Sequence, residues 1–422
     1  MALVLGACGG GSDATPTVAD SAEATAEATA TAAAPAVSPT ADALTAREPD
    51  GQRAFEHVRM LAEQIGPRVA GTSGEIAARD YIRDTLASYG YDVTLQPFDF
   101  DASSFRPSRV DGGGVVIPAY SVQGSPGGEV TGKLVDAGIG RPEEFPSGSS
   151  GFVALIKRGD LTFRQKVDNA AAAGAAAVII YNTDPVRLIA NANGPITVPS
   201  LGVPSTDGDV LRGQAAAGGS ATVTVPAPSG TAYNVIAKPR GVTQCATVTG
   251  GHYDSVPAAP GADDNASGTA ATIEVARVMA ANSTEGENCF VLFSGEEFGL
   301  FGSKAFVRGL SDADVNAMRV MVNLDMVGVD GPLMLIGSSD VVEEARIIAD
   351  AADIDAAPGN VPAGSSSDHA SFASAGIPVV FFNERDDKLL HTPQDNLSRI
   401  RADSLADAVQ LALGTLKAMN GE

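Results

Sequence analysis

Two early stretches of the chain carry apolar residues at helical spacing. The first runs from Phe55 to Ile65 and the second from Ile76 to Tyr89. Gly90 follows as a helix C-cap, because glycine readily adopts the left-handed conformation that closes many helices. Residues 91–100 then alternate apolar and polar side chains, which is the period of a β-strand. We therefore predict two helices followed by a β-strand in this region.

The pattern changes at Ser103, where short Val-rich runs are separated by Gly and Pro. A rhythm of short apolar runs and helical stretches resumes near Tyr233. Several of these runs end in polar residues, as in CATVTGGH, CFVLFSGEE and VMVNLD. Strands that end in polar side chains are typical of an open α/β sheet, which builds its site above the carboxyl ends of its strands.

The chain has 422 residues, 44% of them hydrophobic, and a net charge of −23. This length allows two domains, or one domain with a large insertion. The negative charge excludes nucleic acid and anionic membrane surfaces as partners, because both need clustered Lys and Arg. No apolar run approaches the 18 or so residues of a membrane helix.

The first 45 residues have a composition of their own. Leu5-Gly6-Ala7-Cys8 follows a short apolar run and resembles a bacterial lipobox, in which the cysteine is lipidated after cleavage. The charged region that precedes such a segment is missing, so the start is expected to lie further upstream. Residues 9–45 are rich in Ala, Thr, Pro and Ser and are predicted to form an extended tether. We expect an extracytoplasmic protein, lipid-anchored or secreted, with Cys8 as its only membrane contact; the alternative is an accidental run of small residues.

Five metal-type ligands lie where predicted strands or glycine-bounded turns end: His252, Asp264, Glu297, Asp325 and His391. Singly, each has an ordinary interpretation, such as a turn former, a surface histidine or an acidic helix start. Together they exceed the three protein ligands of a single catalytic ion and fit two ions that share a carboxylate. Asp254 follows His252 by two residues and is placed to orient its imidazole. The set predicts a two-metal hydrolase.

Six ordered segments resemble the signature motifs of the M28 family of zinc aminopeptidases. They are GGHYDSV, GADDNASGTAA, SGEEFGLFGS, NLDMVG, SSSDHASF and LHTPQDNL. The upstream segment IGPRVAGTSGE, residues 65–75, also looks like the N-terminal motif of that family. The resemblance covers roughly residues 50–100 and 233–420.

The resemblance implies two zinc ions per chain. It places His252 and Asp325 on one zinc, Glu297 and His391 on the other, and Asp264 between them. It assigns Glu296 as the general base and implies a cis peptide between Asp264 and Asn265. Together with Asp254, placed by its spacing to orient His252, Glu296 completes the predicted catalytic residues. Some relatives have a tyrosine donor just before the last histidine ligand, where this chain has Leu390.

Residues between the two matched regions resemble a different module. The segment GFVALIKRGDLTFRQKVDNAAAAGAAAVIIYN is similar to the protease-associated (PA) domain. The two resemblances imply an α/β fold with a mixed, largely parallel central sheet flanked by helices, into which a small β-rich PA domain is inserted. The expected divisions are a tether over 1–45, a peptidase domain over 46–104 and 233–422, and a PA domain over 105–232.

Ser367-Asp368-His369 contains the three residue types of a serine-hydrolase triad. Triad members meet through the fold rather than in sequence, and no nucleophile-elbow motif surrounds Ser367. Asp368 and His369 are instead candidates for supporting the ligands or contacting substrate. A purely structural His369 is an equal alternative.

The first hypothesis for function is an aminopeptidase that requires peptides with a free N-terminus. A zinc carboxypeptidase is an alternative that would need an arginine for the terminal carboxylate, such as Arg385. A glutaminyl cyclase would use one zinc and a tryptophan-lined pocket, and the chain has no Trp. A receptor-like binding protein without catalysis is the remaining class.

The chain has three cysteines. Cys245 and Cys289 each lie seven residues before a predicted site residue, His252 and Glu296. Equal counting along neighbouring parallel strands would place both cysteines at one level of the sheet, within reach of a disulfide. Export would supply oxidising conditions. We predict a Cys245–Cys289 bridge, with two buried free thiols as the alternative.

Overall fold

The computed structural model describes residues 44–102, 106–360, 366–384 and 389–421. The strands in these ranges are β1 (Asp92–Asp101), β2 (Pro107–Gly112), β3 (Val115–Ser121), β4 (Gly128–Asp136), β5 (Phe152–Lys157), β6 (Ala175–Tyr181), β7 (Ser200–Val203), β8 (Ser220–Val225), β9 (Ser229–Lys238), β10 (Thr247–His252), β11 (Asn288–Phe293), β12 (Val320–Leu324), β13 (Leu333–Gly337), β14 (Ala356–Pro358) and β15 (Val379–Glu384). The α-helices are α1 (Gly51–Val58), α2 (Ser73–Ser88), α3 (Phe163–Ala172), α4 (Ser205–Ala216), α5 (Gly268–Asn282), α6 (Phe301–Arg308), α7 (Asp312–Ala317), α8 (Ser339–Ala352), α9 (His369–Ser374) and α10 (Ala402–Asn420). Two π-helical segments, Arg59–Ile65 and Ala262–Ser267, continue or precede α-helices, and Pro142–Glu144 and Leu397–Arg399 are 3₁₀ turns.

The early elements match the helix, helix and strand predicted from the apolar pattern. The first helix begins at Gly51, because the Asp50 side chain accepts hydrogen bonds from the backbone N–H groups of Gln52 and Arg53. Gly90 follows α2 with φ of 101°, the left-handed conformation expected of a C-cap. In the described residues no helix combines the length and the apolar character needed to cross a membrane.

An eight-stranded mixed sheet forms the centre of the larger part of the chain. Its strand order is β1-β9-β11-β10-β12-β15-β13-β14. The four adjacent strands β11, β10, β12 and β15 are mutually parallel. Strand β9 is antiparallel to both β1 and β11, β13 is antiparallel to β15, and the edge strand β14 is parallel to β13. The mixed, largely parallel sheet predicted from the sequence is therefore confirmed.

Helices cover both faces of this sheet. Phe290 and Leu292 of β11 face a core that includes residues of α1, α2, α5, α8 and α10. Cys289, Val291 and Phe293 of the same strand point to the opposite face, where Phe306 of α6 and Phe372 of α9 pack. The two-residue alternation of a strand thus serves two cores, which accounts for the continuous apolar run CFVLF.

A closed barrel is inserted between β1 and β9. Its seven strands follow the order β2-β3-β7-β6-β5-β4-β8, and its interior holds Val110, Leu155, Ile179 and Val223. The strands β1 and β9 pair along their whole length, from Asp92 opposite Lys238 to Asp101 opposite Ser229. The chain therefore leaves the sheet and returns to it at the same point, and the insertion leaves the sheet intact.

Candidate metal centre

The predicted ligands converge at one edge of the central sheet. His252 is the last residue of β10 and Asp325 directly follows β12, while Glu297 comes shortly after β11. Asp264 lies in the π-helical segment between β10 and α5, and His391 lies in the segment after β15. These parallel strands end at the same edge, so the fold brings distant parts of the chain together there.

Two groups of ligand atoms share a single side chain. In the first group, Nε2 of His252 lies 3.2 Å from Oδ1 of Asp264 and 3.4 Å from Oδ1 of Asp325. In the second, Nε2 of His391 lies 3.2 Å from Oδ2 of Asp264 and 2.9 Å from Oε2 of Glu297. Asp264 thus directs one carboxylate oxygen to each group.

The spacing and chemistry of these atoms fit zinc. Two ligand atoms on one tetrahedral zinc lie roughly 3.4 Å apart, given bond lengths of about 2.0–2.2 Å. The observed separations are 2.9–3.4 Å. Within the described residues, Oδ1 of Asp325 and Oε1 of Glu297 are buried without a hydrogen-bond partner. Buried carboxylate oxygens need a partner, and metal ions would supply one here.

The electrostatics of the site show an excess of negative charge. Burial alone would lower the pKa of His252, but Asp325 and Glu296 raise it well above its usual value. Burial likewise disfavours protonated His391, whereas Glu297 and Asp264 raise its pKa strongly. Burial would raise the pKa of Asp264, and the two imidazoles lower it instead. Divalent cations would neutralise these carboxylates in place of protons.

Asp254 lies where it can orient both the imidazole of His252 and the backbone of Glu296. Nδ1 of His252 lies 3.5 Å from Oδ1 of Asp254 and 3.2 Å from its carbonyl oxygen. The backbone N–H of Glu296 donates to the same Oδ1 at 3.2 Å. Burial and the neighbouring carboxylate of Glu297 raise the pKa of Glu296 well above its usual value, although His252 opposes this. A carboxylate with a raised pKa is a competent proton acceptor.

The structure shows three supporting side chains for which the sequence predicted no role. Ser367 donates from Oγ to Oδ2 of Asp325 at 2.6 Å, and Asn323 donates to the same Oγ at 2.8 Å. Asp395 accepts the backbone N–H groups of Asp263 and Asp264 at 2.8 and 3.1 Å. All three residues lie inside quoted motifs, NLDMVG, SSSDHASF and LHTPQDNL, and that position was the only available signal.

The remaining predicted site residues fall around these ligands. The peptide between Asp264 and Asn265 is cis, as the resemblance implied. Asp368 is buried, and burial together with Asp254 and Asp325 raises its pKa to about 7 despite the opposing effect of His252. His369 is stacked on Phe381 at 4.6 Å, and burial lowers its pKa to about 4.

Three residues singled out in the sequence either lie outside the described part of the chain or bring no polar group to the site. Arg385, the candidate for a terminal-carboxylate pocket, and Cys8, the candidate lipid site, lie outside the described residues. Leu390 lies immediately before His391 and has no polar group to offer, so it cannot replace the tyrosine donor of some relatives.

Comparisons with known families match both parts of the chain. The family model described as Peptidase family M28 matches residues 234–416, and that of the PA domain matches residues 130–211. Aminopeptidase YwaD of Bacillus subtilis is 34% identical over 388 residues, which is 85% of this chain and 83% of that protein. The probable lipoprotein aminopeptidase LpqL of Mycobacterium tuberculosis is 36% identical over 286 residues, covering 63% of this chain and 56% of that protein.

Solved structures give the same relationship. The structure of BSAP, a zinc aminopeptidase from Bacillus subtilis, aligns with a TM-score of 0.62 at 32% identity and covers 88% of this chain and 96% of that one. A glutaminyl cyclase from Fimbriiglobus ruber shares the fold at 18% identity. By its sequence, its sheet and its inserted barrel, the chain belongs to peptidase family M28, with a PA domain inserted into the peptidase fold.

Proposed function

We propose that this chain is a two-zinc aminopeptidase that removes N-terminal residues from peptides. The observation that carries the proposal is the position of Asp264, whose two oxygens lie 3.2 Å from His252 on one side and 3.2 Å from His391 on the other. The family and the names of its relatives, which include a zinc aminopeptidase, support the activity. His252 and Asp325 would hold one zinc, Glu297 and His391 the second, and Asp264 both.

Zinc at this site would lower the pKa of a bound water and polarise the carbonyl of the scissile peptide bond. Glu296 accepts the proton of the attacking water and returns it to the amine that leaves. The hydrogen bond from its backbone N–H to Asp254 fixes the turn that carries it. Glu297 lies beside His391 and would serve as a ligand, which leaves the adjacent Glu296 to act on the substrate.

A free α-ammonium group matches the charge of the site. Six carboxylates lie at this site: Asp254, Asp264, Glu296, Glu297, Asp325 and Asp368. Two zinc ions would bring four positive charges, so negative charge remains to attract a cationic N-terminus. This charge balance favours an aminopeptidase over a carboxypeptidase, whose substrate would bring a further carboxylate.

The test compares one peptide series with free, N-acetylated and C-terminally amidated ends. We expect hydrolysis of the free and the amidated peptides and little or no hydrolysis of the acetylated ones. Full activity on acetylated peptides would contradict the proposal. Loss of activity on amidated peptides would favour the carboxypeptidase, and cyclisation of an N-terminal glutamine would favour the cyclase.

We also propose that the chain acts outside the cytoplasm and is held at the membrane through a lipid on Cys8. A relative named as a probable lipoprotein aminopeptidase supports this placement. Mass spectrometry of the N-terminal peptide from membrane fractions tests it, and an unmodified Cys8 there would contradict it.

A further inference from the structure

The segment Ile65–Glu75 carries a quoted motif, but no metal ligand and no group assigned to the reaction. It packs against residues 253–261, which connect His252 to the segment of Asp264 and are here called the ligand loop. We propose that Arg68 and Glu75 are positioning residues that hold the ligand loop, and through it His252 and Asp264, in the geometry that binds zinc. This proposal rests on the two-zinc function proposed above.

Arg68 contacts both ends of the ligand loop. Its Nε donates to the carbonyl of Tyr253 at 2.7 Å, at the start of the loop. Its guanidinium nitrogens donate to the carbonyls of Pro260 at 2.7 Å and Gly261 at 2.8 Å, at the end of the loop. The backbone N–H of Arg68 donates to Oγ of Ser255 at 3.0 Å. One residue thus ties four positions of the loop together.

Only arginine can make this set of contacts. The side chain is fully buried, and the Nη1 that donates to Pro260 also lies 3.3 Å from the carbonyl of Leu61 and 3.2 Å from that of Gly66. A guanidinium spreads five N–H donors over a rigid plane, whereas a lysine carries its donors on one nitrogen. Lysine at position 68 would therefore leave carbonyls at one end of the ligand loop without a donor.

Glu75 holds the residue that follows the first ligand. Its Oε1 lies 2.7 Å from the hydroxyl of Tyr253 and accepts the backbone N–H of Tyr233 at 3.1 Å. Tyr253 lies between His252 and Asp254, and both its side chain and that of Glu75 are fully buried. The hydroxyl also lies 2.7 Å from the carbonyl of Tyr233 in β9. The backbone that presents His252 is therefore fixed to α2 and β9.

Gly261 shows how closely Arg68 and the end of the ligand loop are packed. A Cβ at this position would lie 2.5 Å from the carbonyl oxygen of Asp264 and 3.0 Å from Nη2 of Arg68. Its φ of 63° also suits glycine. The Arg68 contact at Gly261 lies only three residues before Asp264, so movement of the guanidinium is transmitted directly to the shared ligand.

The test measures zinc affinity of the full-length protein by competition with a chromophoric chelator. Arg68→Met and Arg68→Lys should each bind zinc about 10–100-fold more weakly, the range found when the partners of metal ligands are removed. The cobalt-substituted variants should also show altered visible absorption bands. The matched control is Arg106→Met, because Arg106 is equally buried and donates to the carbonyls of Pro226 and Ser125 at 2.9 and 2.8 Å, away from the ligand loop. It should bind zinc within about twofold of the parent.

A milder pair of variants keeps the proposal testable if Arg68 variants do not fold. Tyr253→Phe removes one hydroxyl and should weaken zinc binding several-fold. Its control is Tyr91→Phe, which removes a buried hydroxyl that donates to the carbonyl of Ala276 at 2.8 Å. Urea unfolding of the metal-free proteins shows whether each pair is equally destabilised.

The outcomes separate this proposal from the proposed function. If the parent binds zinc and the Arg68 and Tyr253 variants bind it as tightly as their controls, the positioning role is refuted while the function stands. If the parent binds no zinc, the proposed function is refuted and the positioning role with it.

Discussion

Glu296 and Glu297 are adjacent and chemically identical, yet their surroundings differ. Oε2 of Glu297 lies 2.9 Å from Nε2 of His391, whereas the backbone of Glu296 is bound to Asp254. The first side chain is held beside His391, and we propose that the second acts on the substrate.

This difference predicts the result of replacing each glutamate. Glu296→Gln should retain zinc and lose on the order of 10²–10⁴ in kcat, because it removes only the proton acceptor. Glu297→Gln, the paired control, should lose zinc as well as activity. The measurement is kcat alongside zinc content. A Glu296→Gln protein that has lost zinc but keeps full activity per bound ion would show that Glu296 is a ligand.

His57, which is not one of the predicted site residues, should make the stability of the fold depend on pH. Burial lowers its pKa from 6.5 to about 4, and Arg277 and Arg53 add to this effect. Its Nδ1 lies 2.5 Å from the hydroxyl of Tyr81. The unfolded chain takes up a proton below pH 6.5 and the folded chain only below about 4, so the free energy of unfolding falls as pH drops through this window.

Urea unfolding of the parent and of His57→Gln at pH 8 and pH 5 measures this contribution. The variant should lose less stability on acidification than the parent, by on the order of 1 kcal/mol for this partly buried group. Metal-free protein is used for both, so that changes in zinc binding do not enter. Equal losses in the two proteins would show that His57 does not titrate as described.

The disulfide shows how far residue counting along two predicted strands can place their residues. Cys245 and Cys289 are bridged, with 5.6 Å between their Cα atoms. The register predicted for β10 and β11 was nevertheless wrong. His252 pairs with Phe293 rather than with Glu296, so Cys289 lies opposite Val248 and Cys245 lies before the start of β10. The bridge forms because the chain entering β10 runs alongside β11, with the N–H of Ala246 bonded to the carbonyl of Glu287.

Thiol titration of unfolded, unreduced protein should find neither Cys245 nor Cys289 reactive. Reduction should lower the free energy of unfolding by about 4 kcal/mol, the loop-entropy value for a 44-residue separation. The control is the Cys245→Ala/Cys289→Ala double variant, whose urea midpoint should not respond to the reducing agent. Two reactive thiols in the parent, in addition to Cys8, would contradict the bridge.

The sequence predicted elements and local ligand positions better than contacts between distant residues. Local signals sufficed for α2, β1 and the strand ends that carry His252 and Asp325, because periodicity and turn residues act over short distances. The roles of Ser367 and Asp395 depend on hydrogen bonds to Asp325 and Asp264 across the fold. No spacing rule reports such contacts, and the strand order of the barrel is non-local for the same reason.

In the whole molecule, the barrel is inserted into the chain of the larger part without breaking its central sheet. We propose that the peptidase domain comprises 46–104 and 233–422 and the PA domain 105–232, with the paired strands β1 and β9 marking the crossing. Arg109 of β2 donates to the carbonyl of Pro257 in the ligand loop at 3.0 Å. The inserted barrel therefore contacts the loop that links His252 to the segment of Asp264.

We propose that five side chains hold two zinc ions, with Asp264 shared between the two. Elemental analysis of the purified full-length protein, saturated with zinc and freed of excess metal, tests it most directly. We expect two zinc ions per chain. One ion per chain would contradict the shared role of Asp264 and favour a cyclase-type site, and none would contradict the metal centre altogether.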